Sequence, residues 1–192
     1  GQLVDGNCIS LDGVNQYGSA GDDDIFSFGD SVTDSPFSVE ATIKADSIGG
    51  SAGIVGKTIN TTSGNCEWEM NLDTLGRVIL FCYDNTTSSY IFIRTVDTLS
   101  ELQQIKILIS YDGSGLSSGL TIWADRGFGW AVESSTNGLI GAYSSMHSTS
   151  TPVEVGVTRR SGTPRWFDGT IKNVRLYNTE CTPTVKAGLV FD

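Results

Sequence analysis

Four stretches of this chain alternate apolar and polar residues with a period of two, and that alternation limits its possible folds more than any other feature. In Ser38–Lys44, Val39, Ala41 and Ile43 fall on one face of an extended strand, and Ser38, Glu40, Thr42 and Lys44 fall on the other. Glu67–Leu72 repeats the pattern, with Trp68, Met70 and Leu72 inward and Glu67, Glu69 and Asn71 outward toward water. Ile105, Ile107 and Ile109 alternate with Lys106, Leu108 and Ser110, and Leu120, Ile122 and Ala124 with Thr121, Trp123 and Asp125. Successive side chains of a strand point to opposite faces of a sheet, so these segments read as half-buried strands. Val78–Tyr83 and Tyr90–Ile93 are apolar in both phases, as expected for centrally placed strands partly covered on both faces. In the segment ending at Asn178, Val174 and Leu176 share one phase and Ile171 has the other, so the strand either carries a bulge near Lys172, the favoured reading, or buries both faces.

Polar segments rich in Gly, Ser, Thr and Asn separate these strands, the spacing of an all-β sandwich with long rim loops. The stretch 126–152 is long enough to suspect a functional loop. Ser100-Glu101-Leu102-Gln103 has capping-box spacing and Thr182-Pro183 could open a single turn, but neither segment has the length of a stable helix. No internal repeat or linker interrupts the chain. Its 192 residues suit one domain, 1–192, that buries about 70% of the surface its unfolded form exposes.

Charge narrows the partners. Twelve basic residues against 22 acidic ones give a net charge of −10, which repels phosphate backbones and anionic lipid surfaces. Nucleic acid is therefore not expected as a partner. No run approaches the roughly 18 apolar residues of a spanning helix, so membrane insertion is not expected either. Neutral glycans, cationic surfaces and hard cations such as calcium remain compatible. The sequence begins at Gly1 without a methionine or a signal-like apolar stretch, and reads as a processed form, a trimmed chain or an internal domain.

Motifs spread along the chain carry a family resemblance. Leu11-Asp12-Gly13-Val14-Asn15-Gln16-Tyr17 and Phe167-Asp168-Gly169-Thr170-Ile171-Lys172-Asn173-Val174-Arg175-Leu176-Tyr177-Asn178 are similar to the terminal strands of concanavalin A-like sandwiches of the laminin-G/pentraxin type. Phe37–Asp46 resembles the family's second strand and turn, and Ile54-Val55-Gly56-Lys57 the strand after it. Leu108–Gly113 and Leu120–Asp125 resemble its central hairpin. The resemblance covers residues 9–178. It implies a two-sheet antiparallel jelly roll with the N- and C-terminal strands adjacent. It also implies binding in preference to catalysis, because such sandwiches mostly recognise ligands on their rims. Leu-Asp-Gly-Val-Asn, Ser-Tyr-Asp-Gly-Ser-Gly and Phe-Asp-Gly-Thr-Ile are most similar to versions in bacteriophage structural proteins and bacterial surface proteins. A virion or an extracellular cell surface is the implied location.

Cys8 precedes the first of these strands and Cys181 follows the last, while Cys66 and Cys82 flank a turn at Asp73–Gly76. The latter pair fits an antiparallel register with Leu72 opposite Gly76. Two bridges and four buried free thiols are both open readings. None of the four has zinc-site spacing.

Candidate sites follow from residue chemistry. A sugar ring stacks on exposed aromatic faces, and Trp130, Phe128, Tyr143 and Trp166 stand in segments bordered by glycine, serine or proline. Trp123 joins them because its phase places it on the outer face of its strand. Asp22, Asp23 and Asp24, with Asp30 and Asp34 behind, form an oxygen-rich loop suited to calcium. The family resemblance extends that candidate site to Asp168, although Gln16, Lys172 and Asn173 stand where many relatives have acids. Catalysis finds less support. Glu67-Trp68-Glu69-Met70-Asn71 carries two acids and an amide where related glucanases carry three acids, and the expectation is two solvated strand glutamates. His147, the single histidine, reads as a surface loop residue. Asn60-Thr61-Thr62 and Asn85-Thr86-Thr87 match the glycosylation acceptor pattern. The expected function is a non-catalytic carbohydrate-recognition module, with calcium as a candidate cofactor and cell-surface or extracellular glycan as partner. The alternative is a structural capsid or tail decoration protein that binds other virion proteins or copies of itself, and a glycan hydrolase is the third reading.

Overall fold

The computed structural model describes residues 2–3, 8–59 and 65–183, so Asn60-Thr61-Thr62 lies outside the described residues. Among those described, the chain forms β1 (Gln2–Leu3), β2 (Cys8–Asp12), β3 (Gly18–Gly21), β4 (Phe37–Ala45), β5 (Ala52–Thr58), β6 (Cys66–Leu72), β7 (Val78–Asp84), β8 (Ser89–Thr95), β9 (Gln104–Tyr111), β10 (Leu120–Asp125), β11 (Trp130–Val132), β12 (Ser135–Ile140), β13 (Val153–Val155), β14 (Val157–Thr158), β15 (Arg165–Trp166) and β16 (Asp168–Tyr177). Two seven-stranded antiparallel sheets stack as a jelly-roll sandwich. The first runs β1-β2-β16-β4-β9-β10-β11 and the second β12-β8-β7-β6-β5-β13-β3, while β14 and β15 pair separately as a hairpin. No described helix is long and apolar enough to cross a membrane.

The inward phases read from the sequence make the core. Val39, Ala41 and Ile43 of β4 and the isoleucines of β9 share one buried cluster with Trp68, Met70 and Leu72 of β6. Phe28 stacks on Phe37 at 4.4 Å, Phe37 lies 6.0 Å from Trp68, and the Trp68 Nε1–H donates to the Phe26 carbonyl at 3.0 Å. Burying the indole without that bond would strand a donor.

The two ends of the described sandwich meet as the family resemblance implies. Strand β16 lies between β2 and β4, with Asp168 opposite Asp12 and Lys172 opposite Cys8. The two Asp-Gly motifs supply the corner. Asp12 Oδ1 accepts from the Val14 and Asn15 amides, the Gly13 amide donates to the Phe167 carbonyl, and Phe167 is fully buried. Gly169 adopts φ +134°, and a β-carbon there would stand 2.2 Å from the Lys44 carbonyl oxygen. The bulge expected near Lys172 is present: the pairing of β16 with β4 shifts between Lys172 and Arg175, and Asn173 takes φ +53°.

Two expectations are corrected. The turn after β6 is two residues longer than the expected register of Leu72 opposite Gly76 requires, because the Asp73 amide still donates to the Arg77 carbonyl and Asp73 Oδ1 caps Leu75 and Arg77. Leu72 therefore faces Val78, and Cys82 faces Trp68 in place of Cys66. Cys66, Cys82 and Cys8 are free thiols, Cys8 lying opposite Lys172 while Cys181 packs with Leu108 and Tyr177. Residues 126–152 are not one long loop. They supply β11 to the edge of the first sheet and β12 to the edge of the second. Ser100–Gln103 forms a turn and no helix, in keeping with its length: Leu102 takes φ +62° while Gln103 Oε1 accepts from the Ser100 amide at 3.4 Å.

Asp125 closes the β10–β11 corner by accepting from Lys106 Nζ at 2.8 Å and from the Gly127 and Gly129 amides at 2.8 and 3.0 Å. Chiefly the lysine, then the two amides, hold its carboxyl down at about 2. A pH titration followed by carboxyl NMR should give Asp125 that midpoint, and Lys106→Met should move it up toward the ordinary 3.8. An unchanged midpoint in the variant would show that the lysine contact does not form in solution.

Candidate functional site

Across the outer face of the second sheet, neighbouring strands put aromatic rings in register. Phe81 of β7 faces Phe92 of β8, and Tyr83 faces Tyr90. Ring centroids of adjacent members lie 5.4 to 6.3 Å apart, the range of favourable aromatic pairing. Phe92 lies over Gly138 of β12, where a β-carbon would stand 2.4 Å from the ring. These are the strands that are apolar in both phases. Their outer phase builds a ladder and not a second core.

The β14–β15 hairpin folds over the neighbouring part of the same face. Gly53 leaves room for it, since a β-carbon there would meet the Thr158 amide nitrogen at 2.2 Å. Thr158 Oγ1 donates to Asn71 Oδ1 at 3.0 Å, and the Arg159 amide donates to Thr58 Oγ1 at 3.1 Å. At the hairpin tip, the Arg160 guanidinium carbon sits 4.6 Å from the Tyr90 centroid, 4.9 Å from Tyr83 and 5.3 Å from Phe81. A cation over several ring faces is attracted by their quadrupoles.

This cover changes the role of the β6 acids. Glu67 and Glu69, expected to be solvated, are fully buried. Tyr83 OH donates to Glu69 Oε1, and Arg165 Nη1 approaches the same oxygen at 3.7 Å. Burial, reinforced by the Glu69 charge, pushes the Tyr83 phenol well up, so it remains a donor. Glu67 is held by Lys57 Nζ at 2.9 Å and by the Thr149 amide and hydroxyl at 2.7 and 2.8 Å. Desolvation nevertheless raises its carboxyl above the usual range. Four polar atoms on this face, Glu67 Oε2, Glu69 Oε2, Asn71 Nδ2 and Arg94 Nε, are buried without a hydrogen-bond partner among the described residues. Asn71, Ile79 and Arg94 form one row across three strands, and Glu69, Phe81 and Phe92 form the next. These atoms are sealed, so what the face presents to a ligand is the half-buried rings of Phe81, Tyr90 and Phe92 with the Arg160 guanidinium over them.

The aromatic residues singled out in the sequence do not form one cluster. Trp123 and Trp130 come together on the opposite sheet, packed against Leu108, Tyr177 and Cys181. Phe128 projects from the β10–β11 turn, 99% exposed. Tyr143 packs against the core and donates to Asp34 Oδ2 at 2.6 Å. Trp166 stands on the hairpin, 5.9 Å from Tyr17, with the Arg159 guanidinium 5.3 Å away. The aspartates are dispersed in a similar way. Asp22 pairs with Lys57 at 3.0 Å, Asp23 caps the Ile25 amide and Asp24 follows it in a single 3-10 turn. Asp30 caps Val32 and Thr33, and Asp168 lies beside Asp12 at the strand corner. Among the described residues no three His, Cys, Asp or Glu side chains converge as a metal site. His147 ties two loops together, bonding Ser31 Oγ at 2.7 Å and lying 3.4 Å from Asp84 Oδ1.

The fold defines a concanavalin A-like sandwich. No family model and no curated protein matches the sequence. Solved structures do match in fold. The carbohydrate-binding module CBM40 of the Ruminococcus gnavus intramolecular trans-sialidase is similar with a TM-score of 0.67 and 11% identity, over 92% of each chain. The same module bound to α2,3-sialyllactose gives a TM-score of 0.61 at 10% identity, over 93% of this chain and 96% of that one. A heptameric SAP-like pentraxin from Limulus polyphemus gives 0.53 at 14% identity, over 91% of this chain and 77% of that one.

Proposed function

We propose that this protein is a non-catalytic carbohydrate-recognition module that binds glycan on the outer face of its second sheet. The observation that carries the proposal is the ladder of half-buried Phe81, Tyr90 and Phe92 with the Arg160 guanidinium 4.6 Å from the Tyr90 ring. A pyranose has an apolar face for a ring and hydroxyls for the guanidinium beside it, and binding sites of this kind combine apolar walls with a few convergent polar groups. The Ruminococcus gnavus module, alike in fold, was captured with sialyllactose, which supports a glycan ligand here. With Arg94, Arg160 and Arg165 on or over this face, an acidic sugar is the favoured class, because a guanidinium pairs with a carboxylate in a fixed fork. Hydrolysis is disfavoured. A glycosidase places two carboxyl groups roughly 5 to 10 Å apart across an open cleft, whereas Glu67 and Glu69 are buried and engaged by Lys57 and Tyr83.

A glycan array with acidic and neutral oligosaccharides, followed by calorimetry on the hits, tests the assignment. Phe92→Ala and Arg160→Ala should each weaken binding at least tenfold, about 1.4 kcal/mol, with thermal midpoints close to wild type. Binding that survives both substitutions, or that is abolished only by Trp123→Ala or Trp130→Ala, would move the site to the opposite sheet. Running the array with calcium and with chelator tests the candidate cofactor. The virion or cell-surface setting is carried by the sequence resemblance and is tested by locating the protein in particles or membrane-surface fractions.

A second reading rests on a different observation. Phe128 is almost wholly exposed at the tip of a turn flanked by Gly127 and Gly129, with Val132 65% exposed on the free edge strand beside it. An exposed ring on an unpaired edge suits a protein contact of the kind a decoration protein makes.

A further inference from the structure

On the far side of the sandwich, the outer face of the first sheet holds a small cleft lined by Cys8, Thr42, Lys44, Gln104, Thr170 and Lys172. Its geometry follows from strand register. Lys172 of β16 lies between Cys8 of β2 and Thr42 of β4, and Thr170 lies opposite Lys44, which in turn faces Gln104 of β9. Lys44 and Lys172 are thus diagonal neighbours on adjacent strands, about 7–8 Å apart along the backbone. That span lets two long ammonium side chains reach one small anion between them.

The charge arrangement is unusual for this chain. Its 22 acidic residues outnumber its 12 basic ones, yet among the described residues no carboxylate lines the cleft. Neither lysine forms an ion pair among the described residues, whereas Lys106, the next position in the same row, is bound to Asp125 at 2.8 Å. Of the other acids on this face, Asp12 and Asp168 stand one pair further along β2 and β16, and Glu40, two residues from Thr42, is buried and accepts from the Tyr177 hydroxyl at 2.8 Å; none of the three lines the cleft. Thr42 is 2% exposed, so its side chain forms part of the cleft floor.

We propose that this cleft binds a single tetrahedral oxyanion, a sulfate ester or a phosphate group, between the Lys44 and Lys172 ammonium groups. The Thr42 and Thr170 hydroxyls and the Gln104 amide supply further donors. The site does not depend on the glycan reading, because it lies on the other sheet and shares no residue with the aromatic ladder. Its chemistry is charge-assisted hydrogen bonding to a compact anion. A sulfated or phosphorylated glycan could occupy it as a second contact, and so could the free anion.

Amide NMR of the intact protein tests this by titrating sodium sulfate against sodium chloride at matched ionic strength, which separates a site from general screening. Saturable shifts confined to Thr42, Lys44, Gln104, Thr170, Lys172 and their immediate neighbours are expected with sulfate and not with chloride. Lys44→Gln and Lys172→Gln should each weaken sulfate about fivefold, the effect of removing one unit charge in contact with the anion near water. Lys106→Gln, Phe92→Ala and Arg160→Ala should leave it unchanged. Parallel titrations with inorganic phosphate and a sulfated disaccharide identify the source: tighter binding of the disaccharide assigns a sugar ester, and equal binding assigns the free anion. Shifts that follow chloride as closely as sulfate, or that persist in the Lys44→Gln/Lys172→Gln protein, would overturn the proposal, whatever the glycan array shows.

Discussion

Replacing Lys57 by methionine should destabilise the protein by about 3–5 kcal/mol at neutral pH, the cost of leaving a buried charge without its partner. Lys57 is fully buried, and its ammonium group lies 2.9 Å from Glu67 Oε1, 3.0 Å from Asp22 Oδ1, 2.7 Å from Ser27 Oγ and 3.0 Å from the Thr149 carbonyl. It is the one cation in a group that fastens the segment around Asp22–Ser27 and the segment at Thr149 to the second sheet. Methionine keeps much of the volume, so the loss is electrostatic and not a cavity.

The sign of the pH dependence follows from Glu67, whose carboxyl already lies above its ordinary 4.5 through desolvation, with Lys57 opposing the rise. Without the lysine the rise is larger. A carboxyl raised in the folded state contributes stability that is fully present below its unfolded value and is lost as pH climbs through the folded value. The deficit of Lys57→Met relative to wild type should therefore be smallest below about pH 4.5 and widen toward neutrality. Adding Glu67→Gln should recover much of the loss, since the uncompensated charge is then gone. Urea melts of the four proteins at pH 4 and pH 7 decide the matter. A deficit independent of pH, and not relieved by the second substitution, would mean that Lys57 contributes by packing alone.

Gly169→Ala should be nearly as damaging, costing about 4 kcal/mol, from strain at a backbone angle that suits glycine plus forced displacement of packed neighbours. The residue sits at φ +134°, and an added methyl would lie 2.2 Å from the Lys44 carbonyl oxygen and 2.9 Å from the Asp46 amide nitrogen. Both obstacles are backbone, so no side-chain rotation relieves them. The site is where β16 turns into its pairing with β2 and β4, so the damage falls on the closure of the two ends. For a chain of this size the change corresponds to a fall in thermal midpoint of roughly 8–16 °C. Gly50→Ala is the control, because nothing lies within 4 Å of its added carbon. A Gly169→Ala protein that melts with wild type would show that the corner is laxer than this geometry.

Much of the scaffold was readable in one dimension because a strand with one wet face writes its period directly into the chain. Val39, Ala41 and Ile43 of β4 and Trp68, Met70 and Leu72 of β6 are in the core as their phase demands. The phase change between Ile171 and Val174 corresponds to a bulge. The register of Cys66 and Cys82 failed for a local reason. Asp73 bonds across to Arg77 and lengthens the turn, and turn length, not strand pattern, sets which residues face each other.

The candidate site was much less legible. Aromatic residues were sought in glycine- and serine-bordered segments, yet the ladder is built from Phe81, Tyr83, Tyr90 and Phe92 in strands whose double apolarity suggested interior cover. Their outer phase was the available signal, since aromatic rings recur at alternate positions and Arg94 continues the series. The alternation of Glu67 and Glu69 pointed correctly away from the core but wrongly to water, because their cover comes from residues about 80 to 100 positions later, Thr149, Arg165 and the hairpin between β14 and β15.

What the amino-acid order determined by itself was therefore the all-β class, the inward face of each long strand and the bulge near Lys172, all of which depend on near neighbours and side-chain period. Only the tertiary structure decided which outer face stays open, which acids are sealed and where arginine meets aromatic rings. Those outcomes depend on where one short hairpin comes to rest across a sheet formed earlier in the chain, and no local pattern encodes that contact.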